Sequence, residues 1–182
     1  MLWWVNNWAV VIAACCVAVS VDVRVRRIPN KLTFPLWLAG ILWWCATAGL
    51  HGMGETFGGM AIAGLPFLLL WIIGGGGAGD AKMMFAIGAW LGIDHGFLAA
   101  VCVGVAGGIL SLAYALGHGK VLNSLANTAW MTLTLPFVLL GPGGISERQK
   151  LVPPTAEKLK TPYSLAMLGG TCAAAVWVWS CG

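Results

Sequence analysis

The sequence predicts an all-α, polytopic membrane protein: six transmembrane helices plus one interfacial amphipathic helix, N and C termini outside, in a single domain over residues 1–182. Three observations lead there. Hydrophobic residues make up 59% of the chain and charged residues only 9%, far from the soluble balance of nearly half apolar and about a quarter charged. The apolar residues fall in long runs without the two-residue alternation of a membrane barrel, and the mean hydropathy is +0.87. Finally, the basic residues segregate to one set of connections. Water would be a poor solvent for such a chain, and its length leaves no room for a large soluble domain.

Each run is long enough to consider as a helix, because about 20 apolar residues cross a hydrocarbon core of about 30 Å. Leu2–Val21 opens the chain; no basic region precedes it and its positive charges follow, so it should be retained as a span rather than removed as a signal peptide. Leu32–Leu50, Phe57–Ile73, Ala81–Ile93, Phe97–Leu116 and Pro162–Trp179 follow, bounded by charges, Gly or Pro. Helices are required at this depth because irregular backbone leaves unpaired peptide groups in lipid. Val121–Leu140 is also apolar. Lys120 precedes it and Arg148 and Lys150 follow, so a crossing would strand positive charge on the wrong side. Asn123, Ser124, Asn127, Thr128 and Thr132 recur at helical spacing and suit a helix lying in the inner interface. Gly141–Pro162, with its Pro, Gly and mixed charge, reads as an inside loop.

Charge then sets the orientation. With the N-terminus outside, the inside connections hold Arg24, Arg26, Arg27, Lys31, Lys82, Lys120, Arg148, Lys150, Lys158 and Lys160, which are all ten basic residues. The outer connections hold Glu55 and Asp94, with Asp94-His95-Gly96 read as a turn. Trp3, Trp4, Trp8, Trp177 and Trp179 fall near the outer ends of the first and last spans, where indole rings favour the headgroup layer. The six cysteines lack C-x-x-C spacing and read as small packing residues.

Ionisable groups at membrane depth are costly, so the few carboxylates are the place to look for chemistry. Asp22 ends the first span and Asp80 closes Gly74-Gly75-Gly76-Gly77-Ala78-Gly79-Asp80; both fall on the inside face. The span after Asp80, about 15 residues, is only about 22 Å long and would recess Asp80 into the inner leaflet. Two close carboxylates in a low-dielectric site cannot both ionise easily, so one keeps a proton while the other can take one from water. That is aspartic-protease chemistry, without a covalent intermediate and with no metal or other cofactor expected. Glycines beside Asp80 would let an extended substrate backbone approach, and Lys82 reads either as a partner for a carboxylate or substrate group or as a snorkelling interfacial lysine. Read alone, Asp80 could be a helix cap and Asp22 an ordinary polar end to a span.

Gly77-Ala78-Gly79-Asp80-Ala81-Lys82 resembles the GxGDxK signature of the type IV prepilin peptidases, a family of GxGD membrane aspartic proteases. Asp22 with the downstream Ile28-Pro29-Asn30, and Thr161-Pro162-Tyr163 opening the last span, resemble further elements of that family. The resemblance implies catalytic roles for Asp22 and Asp80 and a substrate-binding role for Gly77, Gly79 and Lys82. It implies a reaction too: removal of the short basic leader of prepilins, just before their hydrophobic segment, at the cytoplasmic face of the bacterial inner membrane. The long members' paired C-x-x-C domain is missing, so the chain is similar to the short branch that serves Flp-type pili and is not expected to methylate. Expected partners are prepilin substrates and the bilayer, with no nucleic acid. The Arg24–Lys31 cluster should repel a basic leader, which points to Glu147 and Glu157 or to the substrate's membrane helix for recognition. The alternatives are a small ion- or proton-coupled transporter using the same aspartates, weakened by the lack of internal repeats, and a structural subunit for which they are dispensable.

Overall fold

The computed structural model describes residues 3–25, 29–72, 77–117 and 163–181. The expected interfacial helix at 121–140, the inside loop at 141–162, Arg26, Arg27, Glu147 and Glu157 lie outside the described residues. The described chain forms four helices: α1 (Trp3–Val25), α2 (Asn30–Ile72), α3 (Ala78–Gly117) and α4 (Tyr163–Cys181). The first three are long and apolar enough to cross a membrane. Large apolar side chains also cover the outside of the bundle, among them Leu38, Leu42, Val101, Val105, Ile109 and Val176. A protein with apolar residues on both its inner and outer faces is matched to lipid.

Helices α2 and α3 are not straight rods. Each is interrupted at one glycine in the left-handed half of backbone space, Gly49 (φ 58°, ψ −134°) and Gly92 (φ 74°, ψ −166°), where a Cβ would be strained. The contacts show that the chain reverses at both. Along the first arm of α2, Trp37 donates its indole N–H to the carbonyl of Lys82 (2.9 Å), Gly40 faces Ala89 and Trp90, and Trp44 donates to the carbonyl of Trp90 (3.1 Å). Both chains ascend together. Along the second arm the order inverts: Gly58 meets Ile93, Gly59 meets Gly88, and Gly64 meets Phe85. Beyond Gly92, α3 returns antiparallel to α4, with Val103 against Gly170 and Gly107 against Tyr163.

The sequence reading put a turn at Asp94-His95-Gly96 and placed Glu55 in a loop; the structure corrects both. Glu55 and Asp94 are helical, and the reversal comes at Gly92. The reason is long-range. Glu55 Oε2 accepts the N–H of Ile93 (3.1 Å), capping the second arm of α3 from α2 and placing a carboxylate at that arm's positive end. The break also strips carbonyls in the preceding turn of their helical partners. Asn7 of α1 (3.0 Å) and Trp44 of α2 (3.1 Å) both donate to the carbonyl of Trp90. Trp90 in turn donates its indole N–H to the carbonyl of Leu36 (2.9 Å) and stacks on Trp43. His95, read as a turn residue, sits edge-on to Trp8 with ring centroids 6.0 Å apart.

The core lies around the first arm of α3, where Met83, Met84 and Ile87 are fully buried with Trp8, Val11, Val103 and Met167 from neighbouring helices. Helix-to-helix distance is set by glycine. A β-carbon on Gly59 would collide with the carbonyl oxygens of Gly88 and Gly92, and one on Gly88 with the carbonyl of Gly59, so the two backbones touch. In lipid, where apolar burial alone does not drive helix association, such close approach supplies the packing energy. Gly88→Ala is therefore expected to destabilise by about 1–3 kcal/mol. Gly104→Ala, at a helical position open to its surroundings, should be neutral or gain about 0.5–1 kcal/mol from helix propensity. Thermal unfolding of both variants in the same detergent would separate them.

Candidate active site

Four segments meet at the end of the bundle opposite Gly92. The last turns of α1 carry Asp22, the start of α2 carries Asn30, the start of α3 carries Asp80 and Lys82, and the start of α4 carries Tyr163 and Ser164. Helix termini gather polar side chains because their backbone groups have no partners within the helix. Here three helix beginnings and one helix end lie together.

Gly77 is the cap of α3: its carbonyl accepts the N–H of Asp80 (3.1 Å) and of Ala81 (3.3 Å). Asp80 is then the third helical residue, the position from which an acidic side chain can reach back to the cap. It does so, its carboxylate accepting a hydrogen bond from the backbone of Gly77. The helix dipole favours negative charge in the same turn. This contact explains the first glycine of the motif without any substrate: a β-carbon at Gly77 would lie 2.6 Å from Asp80 Oδ2. Gly79 is half-buried in the first turn.

Asp22 is half-buried on α1. Its Oδ2 accepts the hydroxyl of Ser164 at 2.7 Å, across 142 positions of sequence. The carboxylates of Asp22 and Asp80 lie within electrostatic reach of each other, and Tyr163 lies within reach of Asp80. Tyr163 is seated by its ring against Phe67 (centroids 6.2 Å apart) and by its hydroxyl against Gly107, where any side chain would collide with it. The structure thus brings together the two aspartates that the sequence singled out, and adds Ser164, which sequence reasoning missed.

Lys82 does not point freely into the site. Its Nζ donates to Asn30 Oδ1 at 3.0 Å, tying the motif around Asp80 to the Pro29-Asn30 element. Asn30 opens α2, where Pro29 accepts the N–H of Leu32 (3.0 Å). Trp37, edge-on to both Phe34 and Phe85, packs beside this junction. Two sequence elements 52 positions apart are therefore one structural unit. Among the described residues no three His, Cys, Asp or Glu side chains gather as a metal site would require. His51 and Asp94 are on the half-chains near Gly49 and Gly92, away from this end.

The sequence profile of the type IV leader peptidase family matches residues 9–112, more than half of the chain, including Asp22, Asn30 and the 77–82 segment. No curated protein and no solved structure matches the chain. Ser164 lies beyond the matched range.

The Lys82–Asn30 bond should appear as an energetic coupling. Lys82→Met and Asn30→Ala are each expected to lower stability by about 1 kcal/mol, and the double variant by little more than either single one. Thermal unfolding of the three variants checks this; strict additivity would mean that the bond contributes nothing.

Proposed function

This chain belongs to the type IV leader peptidase family, and from that premise we propose that it is a membrane aspartic endopeptidase whose catalytic residues are Asp22 and Asp80. The single observation that carries the reading is that these two carboxylates, from α1 and α3, lie within electrostatic reach of each other at one end of a largely apolar bundle. A carboxylate pair kept away from bulk water shares a proton, and such a pair can act as base and acid in the same step.

The reaction then runs as follows. The ionised carboxylate takes a proton from a water molecule as the water oxygen bonds to the scissile carbonyl carbon. The protonated carboxyl donates a hydrogen bond to the carbonyl oxygen, on which charge develops. The tetrahedral intermediate collapses with cleavage of the C–N bond, and the departing amine leaves with the proton that came from water. One water is consumed and one peptide bond is cut. No covalent enzyme intermediate forms.

The proposed substrate is a prepilin of the Flp type, cut between its short basic leader and its hydrophobic helix at the cytoplasmic face of the bacterial inner membrane. Each arm of α2 and α3, with α1 and α4, would cross that membrane once, with both termini outside; the one-sided distribution of basic residues supports this. Gly77 and Gly79 keep the approach to Asp80 free of β-carbons for a substrate backbone. Lys82 would meet the substrate from its seat on Asn30.

Co-expression with a candidate prepilin, read by the size of the pilin, tests the reading: Asp22→Asn and Asp80→Asn should each abolish processing. Full processing by either variant overturns it. Gly77→Ala should leave the protein folded yet reduce cleavage by about tenfold or more, because its methyl group displaces the carboxylate of Asp80. An unchanged rate in that variant would show that Asp80 does not need the position it holds here.

A further inference from the structure

Given the proposed Asp22–Asp80 pair, we infer that Ser164 is its positioning residue: the hydroxyl clamps Oδ2 of Asp22 and leaves Oδ1 as the oxygen that takes the proton from water. The role rests on that reading of the pair and adds a third element, α4, to the catalytic apparatus.

The geometry is specific. The Oγ to Oδ2 distance of 2.7 Å is that of a well-formed O–H···O hydrogen bond. Ser164 is only 1% exposed, so water does not compete for its hydroxyl. Among the described residues, this hydroxyl is the one group that hydrogen-bonds the carboxylate of Asp22. An aspartate side chain has two rotatable bonds, three staggered wells at the first and a broad torsion at the second; a single strong donor selects among them.

The donor is itself fixed. Tyr163, the preceding residue, is locked between Phe67 and Gly107. One turn and more along α4, Gly170 packs directly on the backbone of Val103, and Thr171 reaches Cys15 Sγ of α1 at 3.8 Å. Helix α4 is thus packed on α3 beside Ser164 and on α1 and α3 about two turns further along, which fixes the backbone that presents the donor. The pair is therefore held by two different means. Asp80 is held by the backbone of Gly77, and Asp22 by a side chain from a distant segment.

In the reaction the division of oxygens matters. The water loses its proton to Oδ1 of Asp22 while its oxygen forms the new C–O bond; Oδ2 keeps its hydrogen bond from Ser164 throughout. Asp80, within electrostatic reach of Asp22 on α3, supplies the hydrogen bond to the carbonyl oxygen. Of the neighbouring polar groups, Lys82 is bonded to Asn30 and the Tyr163 hydroxyl lies against Gly107.

The test uses the full chain, purified in detergent or reconstituted, with a prepilin substrate. Ser164→Ala should lower kcat by about tenfold or more while KM stays within about twofold, since a misplaced reacting group slows chemistry without removing substrate contacts. Its thermal midpoint should fall by only a few degrees, as for the loss of one buried hydrogen bond, so that the variant stays folded in the assay. Ser164→Thr keeps the hydroxyl and should recover most of the rate; if the extra methyl is too large for so buried a site, the similarly sized Ser164→Cys, a weak donor, should fall between Ala and the native serine. A kcat for Ser164→Ala within about twofold of native overturns the inference. So does an equal loss in the Ala, Thr and Cys variants when all three remain folded. Normal processing by Asp22→Asn or Asp80→Asn would overturn the pair itself, whereas inactive aspartate variants beside a fully active Ser164→Ala would overturn the serine's role alone.

Discussion

A peptide group inside an apolar bundle must find a hydrogen-bond partner, and the reversal of α3 at Gly92 is where this protein meets that requirement most visibly. Breaking a helix exposes carbonyls on one side and N–H groups on the other, and in a low-dielectric environment each one left unpaired costs several kcal/mol. The partners come from every side. Asn7 belongs to α1, Trp44 to the first arm of α2 and Glu55 to its second arm. A local necessity of backbone chemistry is thereby turned into a knot that joins three of the four helices. The aspartates occupy the opposite end, and their positions follow from where this knot holds the first arm of α3.

Glycine makes the knot compact. Between α2 and α3 the chains touch backbone to backbone at Gly59 and Gly88, so the arm that carries Asp80 lies against the second arm of α2 at the closest distance two helices can reach, with the first arm packed on it through Gly40. Small residues at crossings are what a lipid environment rewards, because association there depends on packing rather than on exclusion of water. The same residue type serves a different purpose at Gly77, where the missing β-carbon makes room for a side chain of its own helix. The high glycine content of the chain is thus several separate solutions to steric problems.

Much of this was legible from residues alone. The apolar runs and the placement of Asp22 and Asp80 at one end need only local composition and counting. What escaped depends on contacts between distant positions. Asp94, His95 and Gly96 read as a turn because polar residues and glycine favour turns; the reversal moved to Gly92 because Glu55, far away in sequence, supplies the cap there. Ser164 carried no signal, being a lone serine at the start of an apolar run, and only the antiparallel packing of α1 and α4 brings it to Asp22. Lys82 could be read as partner or snorkelling residue because its mate, Asn30, lies across a helix junction.

The two aspartates are also anchored on different helices. Asp80 rides on the arm packed between the halves of α2, while Asp22 is tied to α4, which packs along the returning arm of α3. Asn7 of α1 bonds the arm that carries Asp80 at the carbonyl of Trp90, about 10 residues or about 15 Å from Asp80 along the helix. Over that length a tilt of about 4° displaces the start of the arm by about 1 Å. The spacing of the two carboxylates therefore depends on contacts made at the opposite end of the bundle, where Asn7 and Trp44 hold the same arm.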